Sequence, residues 1–187
     1  MAPERGNPFI LLIDGPSGAG KTTLARAVVA ASPAGVEPVL IRLDDVYRGW
    51  NGLASAAPHL AGHLLRPLRE TGRGRWQRYD WEAGALSEWH EVDASRPLIV
   101  EGTGALTAET APLADLRVWV EAEDAVRKPR AIARQDDDYA DYWDMWQAQY
   151  ERHLAADDPR KYADLEATSD ERSAALVAEL AARLARA

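Results

Sequence analysis

The stretch GPSGAGKTT, Gly15 to Thr23, follows the apolar run Phe9-Ile10-Leu11-Leu12-Ile13 and opens a helix-forming segment, Thr22 to Ala31. Its spacing is G-x-x-x-x-G-K-[ST], and a strand before with a helix after is the context in which that pattern forms a phosphate-binding loop. Gly15, Gly18 and Gly20 let the chain curl so that backbone N–H groups of the loop, Ser17 and Ala19 included, turn toward phosphate oxygens. The first turn of the helix adds its partial positive charge. Lys21 would bridge the β- and γ-phosphates of ATP, Thr22 would set its hydroxyl on Mg²⁺, and Thr23 would steady the loop or a phosphate. The order Gly15-x-x-Gly18-x-Gly20 is not the G-x-G-x-x-G of dinucleotide folds, so no nicotinamide cofactor is expected.

Outward from this loop, Val39 to Leu43, Leu98 to Val100 and Leu116 to Val120 are short and rich in β-branched residues, which favours strand over helix. Strands alternating with helical stretches imply a parallel sheet with crossover helices, a three-layer α/β fold of the P-loop NTPase kind. From Asp124 onward the chain reads as mostly helical, over Pro129 to Gln135, Tyr139 to Ala156 and Asp170 to Ala187. Pro129 is expected at a first helical position, where its missing N–H costs nothing. Thr168-Ser169-Asp170 reads as an N-cap. Tyr139, Trp143, Trp146 and Tyr150 share one helical face and are read as packing residues. No repeat or linker marks a second domain, so a single domain over 1–187 is expected, with a lid at about 127–145.

A chain of 187 residues can bury about 70% of its unfolded surface without external staples. The formal net charge of −8 disfavours nucleic acid and anionic membranes as main partners. Cysteine is absent, which removes disulfides, thiolate metal sites and a cysteine nucleophile, and suggests a reducing cytoplasm. The N-terminal apolar run is too short for a signal or membrane segment.

A triphosphate loop does not name a reaction. Of the three lysines, Lys128 and Lys161 lie in no guanine-reading N/T-K-x-D motif, and no Gly-Gly pair offers the transporter signature L-S-G-G-Q. Transfer of a γ-phosphoryl group to a hydroxyl needs a carboxylate at the acceptor oxygen, an acid near the metal and positive charge over the phosphates. Asp44 and Asp45 follow the second strand, and Glu101 follows the third. Carboxyl ends of parallel strands converge on the ligand crevice, so Asp44 and Glu101 can face the same phosphates.

In order and spacing the chain resembles the uridine kinase and phosphoribulokinase branch of P-loop kinases. The resemblance runs through DGPSGAGKTT, LDDVY for that family's L-D-S-F-Y, RYDW for its Y-D-F, IVEG, and EAEDAVRKPRAIARQD for its lid, and YADLEATS is similar to its closing strand region. It implies ATP and Mg²⁺ as cofactors, Asp44 as catalytic base, and Tyr47, Tyr79 and Asp80 beside the substrate. It also implies Glu101 near the metal, Arg127 on the nucleotide, and Arg130 and Arg134 closing on the phosphates. The spacing i, i+3, i+7 would put these three arginines on one helical face. The family's histidine and arginine after Y-D-F are absent from YDWEAGALSEW, and its substrate-side insert is replaced by RGWNGLASAAPHLAGHLLRPL.

The expected acceptor is a nucleoside, with another small hydroxyl compound as the alternative where the chain departs from the family. IDGPSGAGKTT is also similar to the opening of cytidylate kinases, whose monophosphate acceptor would call on Arg66, Arg69, Arg73, Arg75 or Arg78. A regulatory ATPase acting through a partner protein is the other alternative. Trp50, Trp76 and Trp81 flank the acceptor region and could shape a pocket.

Overall fold

The computed structural model describes residues 7–134, 139–168 and 174–185. Its strands are β1 (Ile10–Asp14), β2 (Val39–Arg42), β3 (Arg73–Asp80), β4 (Ala85–Asp93), β5 (Leu98–Glu101), β6 (Leu116–Glu121) and β7 (Leu165–Thr168). Its helices are α1 (Lys21–Ala31), α2 (Leu53–Leu60), α3 (Arg66–Thr71), α4 (Asp124–Arg134), α5 (Tyr139–Asp157) and α6 (Ala174–Leu184).

Every residue of β1 is buried, because β1 is the middle strand of a parallel sheet of order β2-β5-β1-β6-β7 covered on both faces. Side chains alternate between those faces. Ile10 and Leu12 enter a core with Leu60, Leu64, Leu68, Trp119, Trp146 and Tyr150. Leu11 and Ile13 enter the other, where Leu24, Ala25 and Val28 of α1 meet Leu180, Ala181 and Leu184 of α6. The result is the expected three-layer α/β architecture.

Register decides what the strands present. Ile13 is level with Glu101 and Val118, and Arg42 is level with Glu101. Asp14, the segment after Arg42, and Glu101 therefore leave the sheet along one rim.

Pro129 departs from expectation. It lies inside α4, which starts five residues earlier at Asp124. The helix begins at the acidic Asp124, whose charge suits a helix N-terminus, and continues through Pro129 despite the lost N–H. The expected last helix is described from Ala174 to Leu184, and the cap signal at Ser169-Asp170 lies outside the described residues, as do Gln135 and Asp136 to Asp138.

Two elements had no counterpart in the sequence reading. Residues 53–71 form one helical run, α2 and α3 joined by a π-helical turn, Ala61–Leu65, although Pro58, Gly62 and Pro67 interrupt it. Burial of Leu60, Leu64, Leu65 and Leu68 outweighs those breakers. The antiparallel hairpin β3–β4 stands outside the main sheet. It is seated on the π-turn so closely that a Cβ on Gly74 would come 2.4 Å from the Leu64 carbonyl oxygen. The closing strand near Asp164 is present as β7, parallel to β6.

Candidate functional site

The loop after β1 is wedged between β6 and α4. A Cβ on Gly15, at φ +146°, would meet the Val120 carbonyl oxygen at 2.0 Å, and one on Gly18, at φ +81°, would meet that of Arg127 at 2.1 Å. Only glycine fits either position. Gly20, also at positive φ, caps α1. Ala19 is fully buried and its N–H reaches the Pro16 carbonyl at 3.2 Å. The Ser17 hydroxyl accepts the Trp146 indole N–H at 2.9 Å. Thr23 is exposed on the first turn of α1.

Lys21 is buried to 7% exposure, and its ammonium donates to the carbonyl oxygens of Gly15 (2.8 Å) and Pro16 (2.9 Å) and to the Thr103 hydroxyl (3.2 Å). The charge is thereby held in the mouth of a loop whose shape suits phosphate oxygens. Beside it the Thr22 hydroxyl donates to Glu101 Oε1 at 2.7 Å. A hydroxyl and a carboxylate side by side are a fitting donor pair for Mg²⁺, which binds through one or two protein oxygens, phosphate and water. Among the described residues no cluster of three or more His, Cys, Asp or Glu could hold a metal by itself, and no helix is long and apolar enough to cross a membrane.

Asp44 and Asp45 share a 3₁₀ turn after β2 and part company there. Asp45 takes Arg42 in a two-point pair, at 3.1 and 3.2 Å. Asp44 remains half-buried on the rim of the phosphate loop, and its backbone carbonyl accepts the Trp81 indole N–H at 2.8 Å. The charges of Asp44 and Glu101 both reach the Arg42 guanidinium, whose pKa rises mainly through the hydrogen bond to Asp45. Tyr47, expected beside the substrate, is in the core at 2% exposure and donates to the Thr103 carbonyl at 2.7 Å. Burial, reinforced by the charges of Asp44, Asp14 and Glu101, pushes its hydroxyl well above the usual pKa.

Sequence reasoning passed over Asp14 and Thr103. Asp14 is fully buried, and its carboxylate accepts N–H groups of Gly15 (2.6 Å), Gly104 (2.9 Å) and Leu106 (2.8 Å). Burial raises its pKa against the lowering effect of the Leu106 N–H, the nearby His153 and the Gly15 N–H. Thr103 accepts from Lys21 and donates to the Gly15 carbonyl at 3.0 Å. Together they clamp the phosphate loop to the segment after β5. The available signal for Asp14 was a carboxylate ending a wholly apolar strand.

Of the three arginines of the expected lid, Arg127 and Arg130 do not share a solvent-exposed face. Arg127 is 3% exposed, bonded to Asp124 (2.7 Å) and Gln147 (2.9 Å), with its guanidinium 5.3 Å from the Trp143 ring and 5.6 Å from the Tyr150 ring. Arg130 is exposed. The side chain of Arg134 lies outside the described residues. Arg127 is turned onto α5, where it meets Gln147, Trp143 and Tyr150, while Arg130 stays outside. Tyr139, Trp143, Trp146 and Tyr150 are all buried, as their spacing on α5 suggests.

In the acceptor region, Asp80 accepts the Ala83 N–H at 2.9 Å and pairs with Arg78 at 3.2 Å; these two contacts, the backbone bond first, hold its carboxyl below the usual pKa. Tyr79 meets the Trp81 ring edge-on at 5.4 Å. Trp76 stacks on His90 at 4.6 Å. Of the arginines considered for a monophosphate, Arg78 is engaged by Glu88 and Asp80, and Arg75 lies over Trp89 at 4.4 Å. Arg69 binds Asp115 (2.6 Å), Leu113 (2.9 Å) and Pro8 (3.0 Å). Pro8 and Asp115 precede β1 and β6, so Arg69 sits at the rim opposite the phosphate loop.

No family model and no curated protein matches this chain. Solved structures do. A possible uridine kinase from Bacillus stearothermophilus superposes with a TM-score of 0.60 at 23% identity, over 89% of this chain and 91% of that one. A proposed fructose transport system kinase from Silicibacter sp. TM1040 gives 0.57 at 18% identity, over 89% and 92%. An uncharacterized protein from Eubacterium ventriosum gives 0.51 at 10% identity, over 96% and 99%. The chain thus has a fold shared with P-loop kinases, and at these identities the likeness is one of fold.

Proposed function

We propose that the protein is an ATP- and Mg²⁺-dependent phosphotransferase that moves the γ-phosphate to a hydroxyl of a small molecule. The observation that carries this reading is a shared rim: Lys21 in the phosphate loop, Thr22 bonded to Glu101, and Asp44 one turn beyond β2. Loop amides and Lys21 would hold the triphosphate. Bound between Thr22, Glu101 and the phosphates, Mg²⁺ would supply charge neutralisation on the phosphate oxygens.

Asp44 would orient the acceptor hydroxyl and take its proton as the oxygen bonds to the γ-phosphorus. The bond from that phosphorus to the bridging oxygen breaks, and ADP leaves. Arg130 and Arg134 are assigned to the transferring charge, and Arg127 is assigned to bracing the phosphate loop through its carbonyl contact with Gly18. Tyr79 and Asp80 border the acceptor, while Tyr47 positions Thr103 from beneath. The whole chain is proposed as one kinase domain with residues 127–145 as its lid.

The likeness to a possible uridine kinase makes uridine a first acceptor to try. Of the five arginines a monophosphate acceptor would call on, Arg69, Arg75 and Arg78 are engaged elsewhere, which weighs against that acceptor, while Arg66 and Arg73 are exposed. The test is ADP formation with ATP and a panel of hydroxyl compounds. Wild type should consume ATP faster with the right acceptor, and Asp44→Asn should bind ATP yet lose about 10²–10⁴-fold in turnover. ATP hydrolysis that no acceptor stimulates, and that only a macromolecule raises, would instead identify a regulatory ATPase.

A further inference from the structure

Beside Asp44 the wall of the site is made of rings drawn from three segments. Trp50, after the 3₁₀ turn, stacks on Tyr142 of α5 at 4.5 Å and 12°, and meets Trp81 of the hairpin turn edge-on at 5.1 Å and Tyr139 at 5.3 Å. Trp81 and Tyr142 remain 40% and 37% exposed, so much of their ring surface stays open. The Trp81 indole bonds to the Asp44 carbonyl, which places this surface next to the proposed base.

Most polar side chains described in the wall are already engaged, while Arg48 and Asn51, which flank Trp50 in sequence, are exposed. The Trp81 N–H is engaged by Asp44, the Gln149 amide by the carbonyls of Trp50 and Met145, and the Gln77 amide by the Ser87 carbonyl. Arg78 is engaged by Glu88, Asp80 and Ser87. What the wall does offer is π-faces and the carboxylates of Asp44 and of exposed Glu82 in the same hairpin turn, that of Asp80 being paired with Arg78. Ring faces flanked by carboxylates attract a cation and repel a phosphate.

Resting on the kinase reading of this site, we infer that the acceptor is an alcohol carrying an ammonium group. The cation lies on the faces of Trp81 and Tyr142, with Trp50 holding the two in place, and the hydroxyl reaches Asp44. Transfer leaves the ammonium unchanged: the hydroxyl proton goes to Asp44, the hydroxyl oxygen takes the γ-phosphoryl group, and ADP departs.

The experiment compares four probes in an ADP-formation assay: choline, its uncharged analogue with carbon in place of nitrogen, uridine and uridine monophosphate. Choline should be phosphorylated with a KM about tenfold below that of the uncharged analogue, the scale of one or two desolvated cation–π contacts. Tyr142→Leu should raise the KM for choline more than that for the analogue, closing most of the gap between the two, while Tyr142→Phe, which keeps the ring, should resemble wild type. Equal KM values for choline and its analogue, or turnover of uridine or its monophosphate without turnover of choline, would overturn the inference and leave the kinase reading standing. ATP consumption that none of these acceptors, nor any other alcohol, stimulates would overturn both.

Discussion

The indole N–H of Trp146 donates to the Ser17 hydroxyl at 2.9 Å, joining the middle of α5 to a phosphate loop 129 residues earlier. Trp146 also packs edge-on against Tyr47 at 4.8 Å. Trp146→Phe keeps most of this packing and removes the bond. A net hydrogen bond is worth about 0.5–1.5 kcal/mol, so ATP affinity should fall by roughly two- to tenfold if the bond holds the loop in its binding shape. ATP titration of the variant decides it, and an unchanged affinity would reduce Trp146 to a packing residue.

Gly18 and Gly35 make a matched pair. Both have positive φ, but a Cβ on Gly18 would lie 2.1 Å from the Arg127 carbonyl oxygen, while nothing lies within 4 Å of one on Gly35. Gly35→Ala should cost about 1 kcal/mol of backbone strain and leave ATP binding intact. Gly18→Ala should displace α4 from the loop and abolish ATP binding. Thermal unfolding and ATP titration of the two variants check both, and wild-type binding by Gly18→Ala would contradict the close approach.

Arg69→Ala tests which arginines belong to the site. Three oxygens accept from this guanidinium at the rim far from the phosphate loop. Its loss should lower stability by about 1–3 kcal/mol, typical of broken charge-assisted bonds, while KM for the acceptor stays unchanged. A raised acceptor KM in a folded variant would revive the monophosphate reading.

His59 sets a pH limit on the hairpin. Its Nε2 accepts the Gln77 N–H at 3.1 Å, and burial, then the charges of His63 and Arg48, lowers its pKa to about 4. Protonation is easier in the unfolded chain than in the folded one. The stability from neutral His59 is therefore complete above about pH 6.5, the ordinary histidine value, and is lost as pH falls toward 4. Denaturant midpoints measured across that range should fall toward acid, and His59→Leu should flatten the part of the slope due to this group. An identical pH profile in that variant would mean that His59 is not the sensor.

The glycine-rich loop after β1 was legible because its backbone requirements are local. Positive φ at Gly15, Gly18 and Gly20, a lysine after the last glycine and a hydroxyl after the lysine are properties of neighbours in sequence, and the structure holds all of them at one loop. The buried strands were legible for a similar reason, since a parallel strand covered on both faces is a short apolar run. The hairpin β3–β4 was not. Nearly all of its residues are half-buried or exposed, so no alternation of apolar and polar positions marks it, and the shift in register between Gln77 and Tyr79 breaks what pattern there is. The helical run over residues 53–71 was hidden by Pro58, Gly62 and Pro67, whose local preferences yield to leucines buried against distant strands.

The roles of individual polar groups divide along the same line. Sequence by itself determined the loop, the class of sheet and the carboxylates placed at strand ends, because these follow from the spacing of residues along one chain. Only the tertiary structure separated Asp44 from Asp45 by giving Arg42 to the second, turned Arg127 into the core between Gln147 and two rings, and placed Arg69 at the rim opposite the glycine-rich loop. It also brought Trp50, Trp81 and Tyr142 to one wall from three separate segments. Which partner a carboxylate or guanidinium finds depends on strand register and helix packing across the whole domain, and neither is written in any single stretch.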